Sequence, residues 1–262
     1  MSQQAVVEIV RDAKNKATVN LFGATLLSWI HDESEMIFVS KGSTFDNKKA
    51  IRGGIPIVFP NFGPWDLGRP NHGFARINMW RCTAPPQKDS NGDAAAVFTL
   101  TDSEETRKMF ELNYTVTVKV DGLNTQLTIK NLNSTASFDF TCLFHTYFNV
   151  PDVSKITISG LGGLTYKDKT DDFKEKMEKD DPKSINGYTD SVYASALKDH
   201  LITNVAGGKT VCLKKTNFPD TVIWNPWAER AKSVELVENE YAHMICVEAG
   251  YVSKQHTVQA VS

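Results

Sequence analysis

Two ionisable residues occupy positions where strand packing alone would favour aliphatic side chains. His145 lies in the run LFHTYFNV, and Glu248 closes the apolar run HMICVE immediately before Ala249 and Gly250. A positioned acid and a positioned base each typically accelerate a reaction by about 10²–10⁴-fold. We therefore predict proton-transfer chemistry by His145 and Glu248. For Glu248 alone, a strand-end carboxylate that faces water is the simpler explanation.

The periodicity around His145 predicts the face of the sheet on which it lies. Side chains two residues apart in a strand share a face, so His145 and Tyr147 belong to one polar face. The opposite face is apolar, with Phe138, Phe140, Cys142 and Phe144. We expect a sheet that is packed on this apolar side and has a polar cleft containing His145 on the other.

A loop rich in glycine and proline runs from Ile51 to Arg76. Glycine lets a backbone approach a ligand closely, and proline stiffens a loop. Arg52 and Arg76 flank this loop, and guanidinium groups bind phosphate in a bidentate manner even in a protein that is not basic. For each arginine alone, pairing with a nearby surface carboxylate is the simpler interpretation.

Composition excludes several classes of function. Lys and Arg total 29 against 31 Asp and Glu, a net charge of −2, which gives no bulk field for nucleic acid or an anionic membrane. The four cysteines have no metal-finger spacing, and His72, His145 and His243 show no ligand spacing. Glycine-rich nucleotide loops and nucleophile elbows are also missing from the sequence. We expect no cofactor, no metal and, without a signal-like N-terminus, a cytoplasmic protein.

Period-two alternation dominates the rest of the chain. It predicts strands at residues 114–120 and 137–142, a type I′ turn at Asp121-Gly122 and a turn at Gly207-Gly208. Two further strands should stop at Asn225-Pro226 and at Ala249-Gly250. The fold class predicted is all-β, an antiparallel sandwich or barrel, in one domain spanning residues 1–262.

Two segments depart from this strand pattern. Thr101 to Glu104 has the form of a capping box, which predicts a short helix through Arg107 and Met109. The highly charged segment from Tyr166 to Ser184 predicts a surface loop or short helix with solvated charges.

Six motifs in order resemble the hexose-6-phosphate mutarotases, or glucose-6-phosphate 1-epimerases, which are relatives of the aldose 1-epimerases. The motifs are RGGIPIVFPNFG, NHGFAR, FHTYFNV, YTDSVY, VIWNPW and MICVEAG, from about Arg52 to Gly250. The resemblance implies a large antiparallel β-sandwich of the galactose-mutarotase type, with the sugar in a cleft on one sheet. It also implies an isomerase in which His145 is the catalytic acid and Glu248 the catalytic base.

The resemblance further implies a set of substrate-binding positions, which are Arg52, Asn71, His72, Arg76 and Asp190. His72 either contacts the sugar ring or only braces its loop. Two positions depart from the family pattern. Ser191 stands where relatives often have arginine, which puts one anionic contact in question, and Ala249 stands where they often have proline.

The implied reaction is interconversion of the α and β anomers of a hexose 6-phosphate, with glucose 6-phosphate as the expected substrate. Ionised Glu248 would take the proton of the C1 hydroxyl while protonated His145 gives one to the ring oxygen. The two groups should then lie across the sugar from each other and favour each other's charged forms. Trp224 is either an apolar wall for the sugar or core packing.

Two other hypotheses remain open. One is an aldose 1-epimerase that acts on unphosphorylated sugars, and the other is a non-catalytic sugar-phosphate-binding module on the same fold. For the main hypothesis we expect a small-molecule sugar phosphate as partner, no nucleic acid, no membrane and a monomer.

Overall fold

The computed structural model describes residues 6–64, 70–101 and 110–260. These ranges contain strands, one short α-helix, α1 (Trp227–Ala231), and 3-10 turns at Ala75–Ile77, Val153–Lys155, Lys169–Asp171, Lys232–Val234 and Glu240–His243. The strands are β1 (Val6–Val10), β2 (Lys16–Asn20), β3 (Thr25–His31), β4 (Ser34–Glu35), β5 (Ile57–Val58), β6 (Arg81–Lys88), β7 (Ala94–Thr101), β8 (Phe110–Val118), β9 (Leu123–Asn131), β10 (Phe138–Phe144), β11 (Tyr147–Asn149), β12 (Thr157–Ile158), β13 (Thr165–Asp168), β14 (Lys174–Met177), β15 (Lys183–Ser184), β16 (Thr189–Tyr193), β17 (His200–Val205), β18 (Lys209–Leu213), β19 (Asp220–Asn225) and β20 (Met244–Val258).

Antiparallel pairing joins the described strands into sheets. The largest has the order β14-β13-β16-β19-β20-β10-β5, and β11 also pairs with β20. The others have the orders β1-β2-β3-β4, β6-β7-β8-β9 and β15-β12-β17-β18. This architecture confirms the predicted all-β, antiparallel fold class.

The main core lies between the β6–β9 sheet and one face of the largest sheet. Phe140, Cys142 and Phe144 point into it, as the alternation predicts, and the Tyr114 and Phe144 rings lie 5.6 Å apart between centroids. Burying a large apolar side chain typically contributes about 1.5–3 kcal/mol. A single apolar cluster draws residues from Ile9 to Val247, so strands distant in sequence share this core.

Two predicted local features are wrong. Neither Asp121 nor Gly122 has a positive φ, which a type I′ turn requires. The Lys119 N–H instead donates to the Gly122 carbonyl at 2.8 Å. β20 does not stop at Gly250 but continues to Val258. Asp220 accepts hydrogen bonds from the backbone N–H groups of Val252 and Ser253, and the start of β10 pairs with the last residues of β20.

The turn at Gly207-Gly208 and the strand end at Asn225 are confirmed. The charged segment is not a loop, because it forms β13, β14 and β15 with the 3-10 turn Lys169–Asp171 between the first two. The predicted helix through Arg107 and Met109 falls on residues 102–109, outside the described residues. None of the described helices has the length and apolar character needed to cross a membrane.

Candidate active site

His145 and Glu248 lie in direct contact on the face of the largest sheet that is turned away from the main core. His145 follows the last residue of β10, and Glu248 lies in the middle of β20. His145 Nδ1 is 3.3 Å from Glu248 Oε1, and the two residues are 7% and 1% exposed. The geometry of this contact is not that of a hydrogen bond, and Nδ1 and Glu248 Oε2 have no hydrogen-bond partner among the described residues.

The strand register explains this contact. Ile245 and Val247 of β20 point into the main core, so Cys246 and Glu248 occupy the other face. Tyr147 pairs with Cys246, and neighbouring strands are only about 4.8 Å apart. No sugar-sized space separates His145 from Glu248. The expectation that the two groups lie across the sugar from each other is therefore wrong.

Burial favours the uncharged form of each member of the pair. It lowers the pKa of His145 well below its ordinary value, and the neighbouring His72 and Arg52 add to this effect. It raises the pKa of Glu248 well above its ordinary value, and the Asp190 carboxylate adds to that. The expected mutual support of the charged forms is thus outweighed by desolvation.

The RGGIP segment holds the backbone around His145. The His145 N–H donates to the Pro56 carbonyl and the Tyr147 N–H donates to the Gly54 carbonyl, both at 3.0 Å. Gly53 is required at its position, since it has a φ of +112° and a Cβ there would lie 2.5 Å from the Val39 Cα. The segment therefore places the side chain of the preceding residue, Arg52, beside Tyr147.

Tyr147 connects Arg52 to the histidine. Its ring stacks on the His145 ring with centroids 4.7 Å apart, and its hydroxyl accepts a hydrogen bond of 3.1 Å from Arg52 Nη1. The negative potential of the Tyr147 hydroxyl raises the pKa of Arg52. Tyr147, the third residue of the HTY motif, was not among the predicted site residues, although its place on the His145 face follows from the alternation.

The NHGFAR loop brings His72 to the other side of His145. Gly73 has a φ of +69°, and a Cβ there would lie 2.2 Å from the Phe59 carbonyl oxygen. The His72 ring lies edge-on to His145 with centroids 5.9 Å apart, and its Nδ1 accepts a hydrogen bond of 3.0 Å from the Gly63 N–H. Burial and nearby cations lower the pKa of His72 to about 3. His72 is therefore neutral, braces the loop through Nδ1 and carries its proton on Nε2.

Arg52 and Arg76 have no carboxylate at ion-pair distance among the described residues. The Nε atoms of both are buried without a hydrogen-bond partner there. Arg76 Nη2 donates to the backbone carbonyl of Asn71 at 2.8 Å, whereas Asn71 itself is exposed. Burial, together with the charge of Arg52, lowers the pKa of Arg76 to about 10. Two nearby guanidinium groups without an anionic partner form a site suited to an anion.

Asp190 reaches the site from β16 and is paired with a lysine that the sequence interpretation missed. Lys169 Nζ lies 3.2 Å from Asp190 Oδ2 and 5.1 Å from the centroid of the Phe62 ring. Burial raises the pKa of Asp190 although Lys169 opposes this shift. Lys169 belongs to the segment whose charges were predicted to be solvated, and no local pattern distinguishes it from the other lysines there.

Trp224 borders the site, whereas Ser191 and Ala249 do not. Trp224 is half-buried, pairs with Asp190 across the strands and lies edge-on to His145 with ring centroids 5.9 Å apart. Ser191 is buried on the opposite face, paired with core residue Ile223. Ser191 therefore makes no contact at the His145 face. Ala249 likewise lies on the core face, paired with Phe144.

A cavity of about 230 Å³ borders the site on the side of Lys169. Phe62 and Lys169 line it together with Val192 and Val252, whereas His145 and Glu248 do not. The cavity therefore lies next to the His145–Glu248 site and is not part of it.

Comparisons with known proteins agree with this architecture. Residues 5–260 match the family model described as "Aldose 1-epimerase". The chain is 34% identical to a protein of Escherichia coli (strain K12) named "Putative glucose-6-phosphate 1-epimerase" over 95% of the chain and 84% of that protein. A protein of Cenchrus ciliaris with the same name is 33% identical over 96% of the chain and 80% of its own length.

Solved structures show the same fold. A "putative mutarotase" from Salmonella typhimurium superposes with a TM-score of 0.88 and 30% identity, covering 99% of this chain and 87% of that one. A "galactose mutarotase-like protein" from Lactobacillus casei has a TM-score of 0.72 at 20% identity, covering 98% and 96%, which supports the fold alone. The β-sandwich is thus of the galactose-mutarotase type, and the chain belongs to the aldose 1-epimerase family of isomerases.

Proposed function

We propose that this enzyme interconverts the α and β anomers of a hexose 6-phosphate, with glucose 6-phosphate as the first substrate to test. The observation that carries the proposal is the pair of half-buried guanidinium groups, Arg52 and Arg76, which lack a carboxylate partner among the described residues and flank the His145–Glu248 pair. An uncharged aldose offers nothing to balance these two charges, whereas a phosphate does. The names of two relatives point to the same substrate.

In the proposed reaction the sugar lies over both catalytic groups. Glu248 takes the proton of the C1 hydroxyl while His145 gives a proton to the ring oxygen, so that the C1–O5 bond breaks and the free aldehyde forms. Rotation about C1–C2 presents the other face of the carbonyl. Closure then proceeds with the roles reversed, His145 recovering its proton from the C5 hydroxyl, and the opposite anomer is released.

The contact between the two groups supports this assignment. A neutral imidazole with a carboxylic acid, and an imidazolium with a carboxylate, contain the same number of protons and differ only in the position of one of them. The 3.3 Å contact brings together the two atoms between which this proton would move, His145 Nδ1 and Glu248 Oε1. We propose that the ionised pair is the reacting form and that the sugar hydroxyls replace the solvation that burial has removed.

The remaining polar groups would orient the substrate. Asp190 would accept a hydrogen bond from a ring hydroxyl, with Lys169 holding its carboxylate in place. We propose Asn71 and His72 as further ligands, His72 through the Nε2–H that its brace to Gly63 leaves available. Arg52 and Arg76 would hold the 6-phosphate away from C1, which fixes the position of the reacting carbon without taking part in bond breaking. We also propose that the whole chain forms one domain, because one apolar cluster includes residues from Ile9 to Val247.

Anomer exchange measured by NMR on glucose 6-phosphate and on glucose tests the proposal directly. We expect the chain to accelerate exchange of the phosphorylated sugar well above its acceleration for glucose. Equal acceleration of both sugars would favour an aldose 1-epimerase without phosphate preference. Binding of glucose 6-phosphate with an unchanged spontaneous rate would favour a non-catalytic binding module.

A further inference from the structure

A third potential metal ligand lies beside the catalytic pair. Cys246 precedes Glu248 by two residues in β20 and therefore shares its face. His145 Nδ1 or Nε2, Cys246 Sγ and a Glu248 carboxylate oxygen all lie within 4.8 Å of one another, and all three residues are buried. The function proposed above assigns no role to Cys246.

Two of these donor atoms lack partners. His145 Nδ1 and Glu248 Oε2 are buried and make no hydrogen bond within the described part of the chain. A buried polar atom without a partner typically costs about 1–3 kcal/mol, and coordination of a metal ion would satisfy both atoms. Two buried donor atoms without a hydrogen-bond partner, on side chains that are in contact, are therefore an independent indication of a cation ligand, beyond the residue types alone.

We propose that His145, Cys246 and Glu248 bind one borderline divalent cation, of which Zn²⁺ is the type, and that the bound ion inhibits the enzyme by occupying its acid–base pair. Imidazole nitrogen, thiolate sulfur and carboxylate oxygen together form a donor set that zinc accepts, with a water as fourth ligand. On binding, the Cys246 thiol and the uncharged Glu248 carboxyl each release a proton to solvent. Thiolate and carboxylate then balance the two charges of the ion.

The surrounding charges allow this complex. Arg52, Arg76 and Lys169 would oppose a free cation, but they face a complex whose net charge is zero. The neighbouring Asp190 carboxylate attracts the cation. Bond lengths of zinc to nitrogen and sulfur imply ligand–ligand separations of roughly 3.3–3.6 Å in a tetrahedron. The 3.3 Å between Nδ1 and Oε1 already fits this separation, so the adjustment required falls mainly on the Cys246 side chain.

Cobalt titration tests the site without depending on turnover. The full-length chain carries Cys82→Ser and Cys212→Ser in every sample, because these two thiols are the accessible ones of the four. We expect one equivalent of Co²⁺ to produce a thiolate-to-cobalt charge-transfer absorption, which Zn²⁺ then abolishes by displacement. Cys246→Ser should eliminate the band, whereas Cys142→Ser, a buried cysteine on the core face, should retain it.

The result is independent of the proposed substrate, because the absorption reports coordination alone. If Cys246→Ser does not fold by circular dichroism, Glu248→Gln provides the same test and should weaken Co²⁺ binding at least about tenfold. On an active preparation, Zn²⁺ should inhibit reversibly, with EDTA restoring activity, and Cys246→Ala should retain turnover while losing most of this sensitivity. A band that survives Cys246→Ser, or no Co²⁺ uptake at millimolar concentration, would overturn the proposal.

Discussion

Replacing Arg76 by alanine should separate phosphorylated from free sugars. Arg76 uses Nη2 on the Asn71 carbonyl, and its buried Nε is unpaired among the described residues. The guanidinium hydrogens that the Asn71 carbonyl does not use therefore remain available to a phosphate, which guanidinium groups favour as a bidentate partner. We expect Arg76→Ala to raise KM for glucose 6-phosphate while changing kcat little, because this contact is made equally in the ground and transition states.

The size of the effect follows from the charge on both partners. A hydrogen bond to a charged group typically contributes about 1.5–3 kcal/mol, which corresponds to a loss of about 10- to 150-fold in kcat/KM. Burial lowers the pKa of Arg76 to about 10 from 12.5, a cost of about 3 kcal/mol for the charged form. Removing this charge should therefore leave the free energy of unfolding unchanged or raise it slightly.

The assay compares anomer exchange by NMR for glucose 6-phosphate and glucose, alongside urea unfolding. Arg81→Ala is the matched control, since Arg81 is an exposed arginine in β6. It should alter neither rate. An equal loss of kcat/KM on both sugars would refute a phosphate contact by Arg76. A loss of activity that follows a loss of stability would instead assign the arginine a structural role.

Four further substitutions give independent tests. Glu248→Gln should reduce kcat by about 10²–10⁴-fold with little change in glucose 6-phosphate affinity by calorimetry, and retained turnover would remove Glu248 from the mechanism. His145→Asn should behave likewise, and wild-type rates would mean that another group protonates the ring oxygen. Tyr114 has a buried hydroxyl without a partner among the described residues, so Tyr114→Phe should raise the free energy of unfolding by about 1 kcal/mol; a decrease in urea unfolding experiments would indicate an internal water or partner for that hydroxyl. Burial, with Lys215, lowers the pKa of His200 from 6.5 to about 4, so the stability present above pH 6.5 falls as pH drops toward 4, by about 3 kcal/mol. His200→Gln should remove this part of the pH dependence of urea unfolding, and an unchanged slope would contradict the assignment.

Local alternation determined much of the fold from the sequence alone. The apolar face of β10, the strand end at Asn225 and the all-β class all follow from side chains that point to opposite faces at successive residues. The position of His145 on the face opposite Phe144 follows from the same rule. These features depend on residues a few positions apart, so one strand is sufficient to predict them.

Tertiary structure alone decided the geometry of the site. Strand register, set by pairing between distant segments, put His145 and Glu248 in contact rather than across a sugar. It also recruited Lys169 from a charged strand hairpin to Asp190, and it left Arg52 and Arg76 without a carboxylate partner among the described residues. Contact, burial and the pKa shifts that burial causes are properties of groups brought together from separate strands and loops, and no periodicity within one segment specifies them.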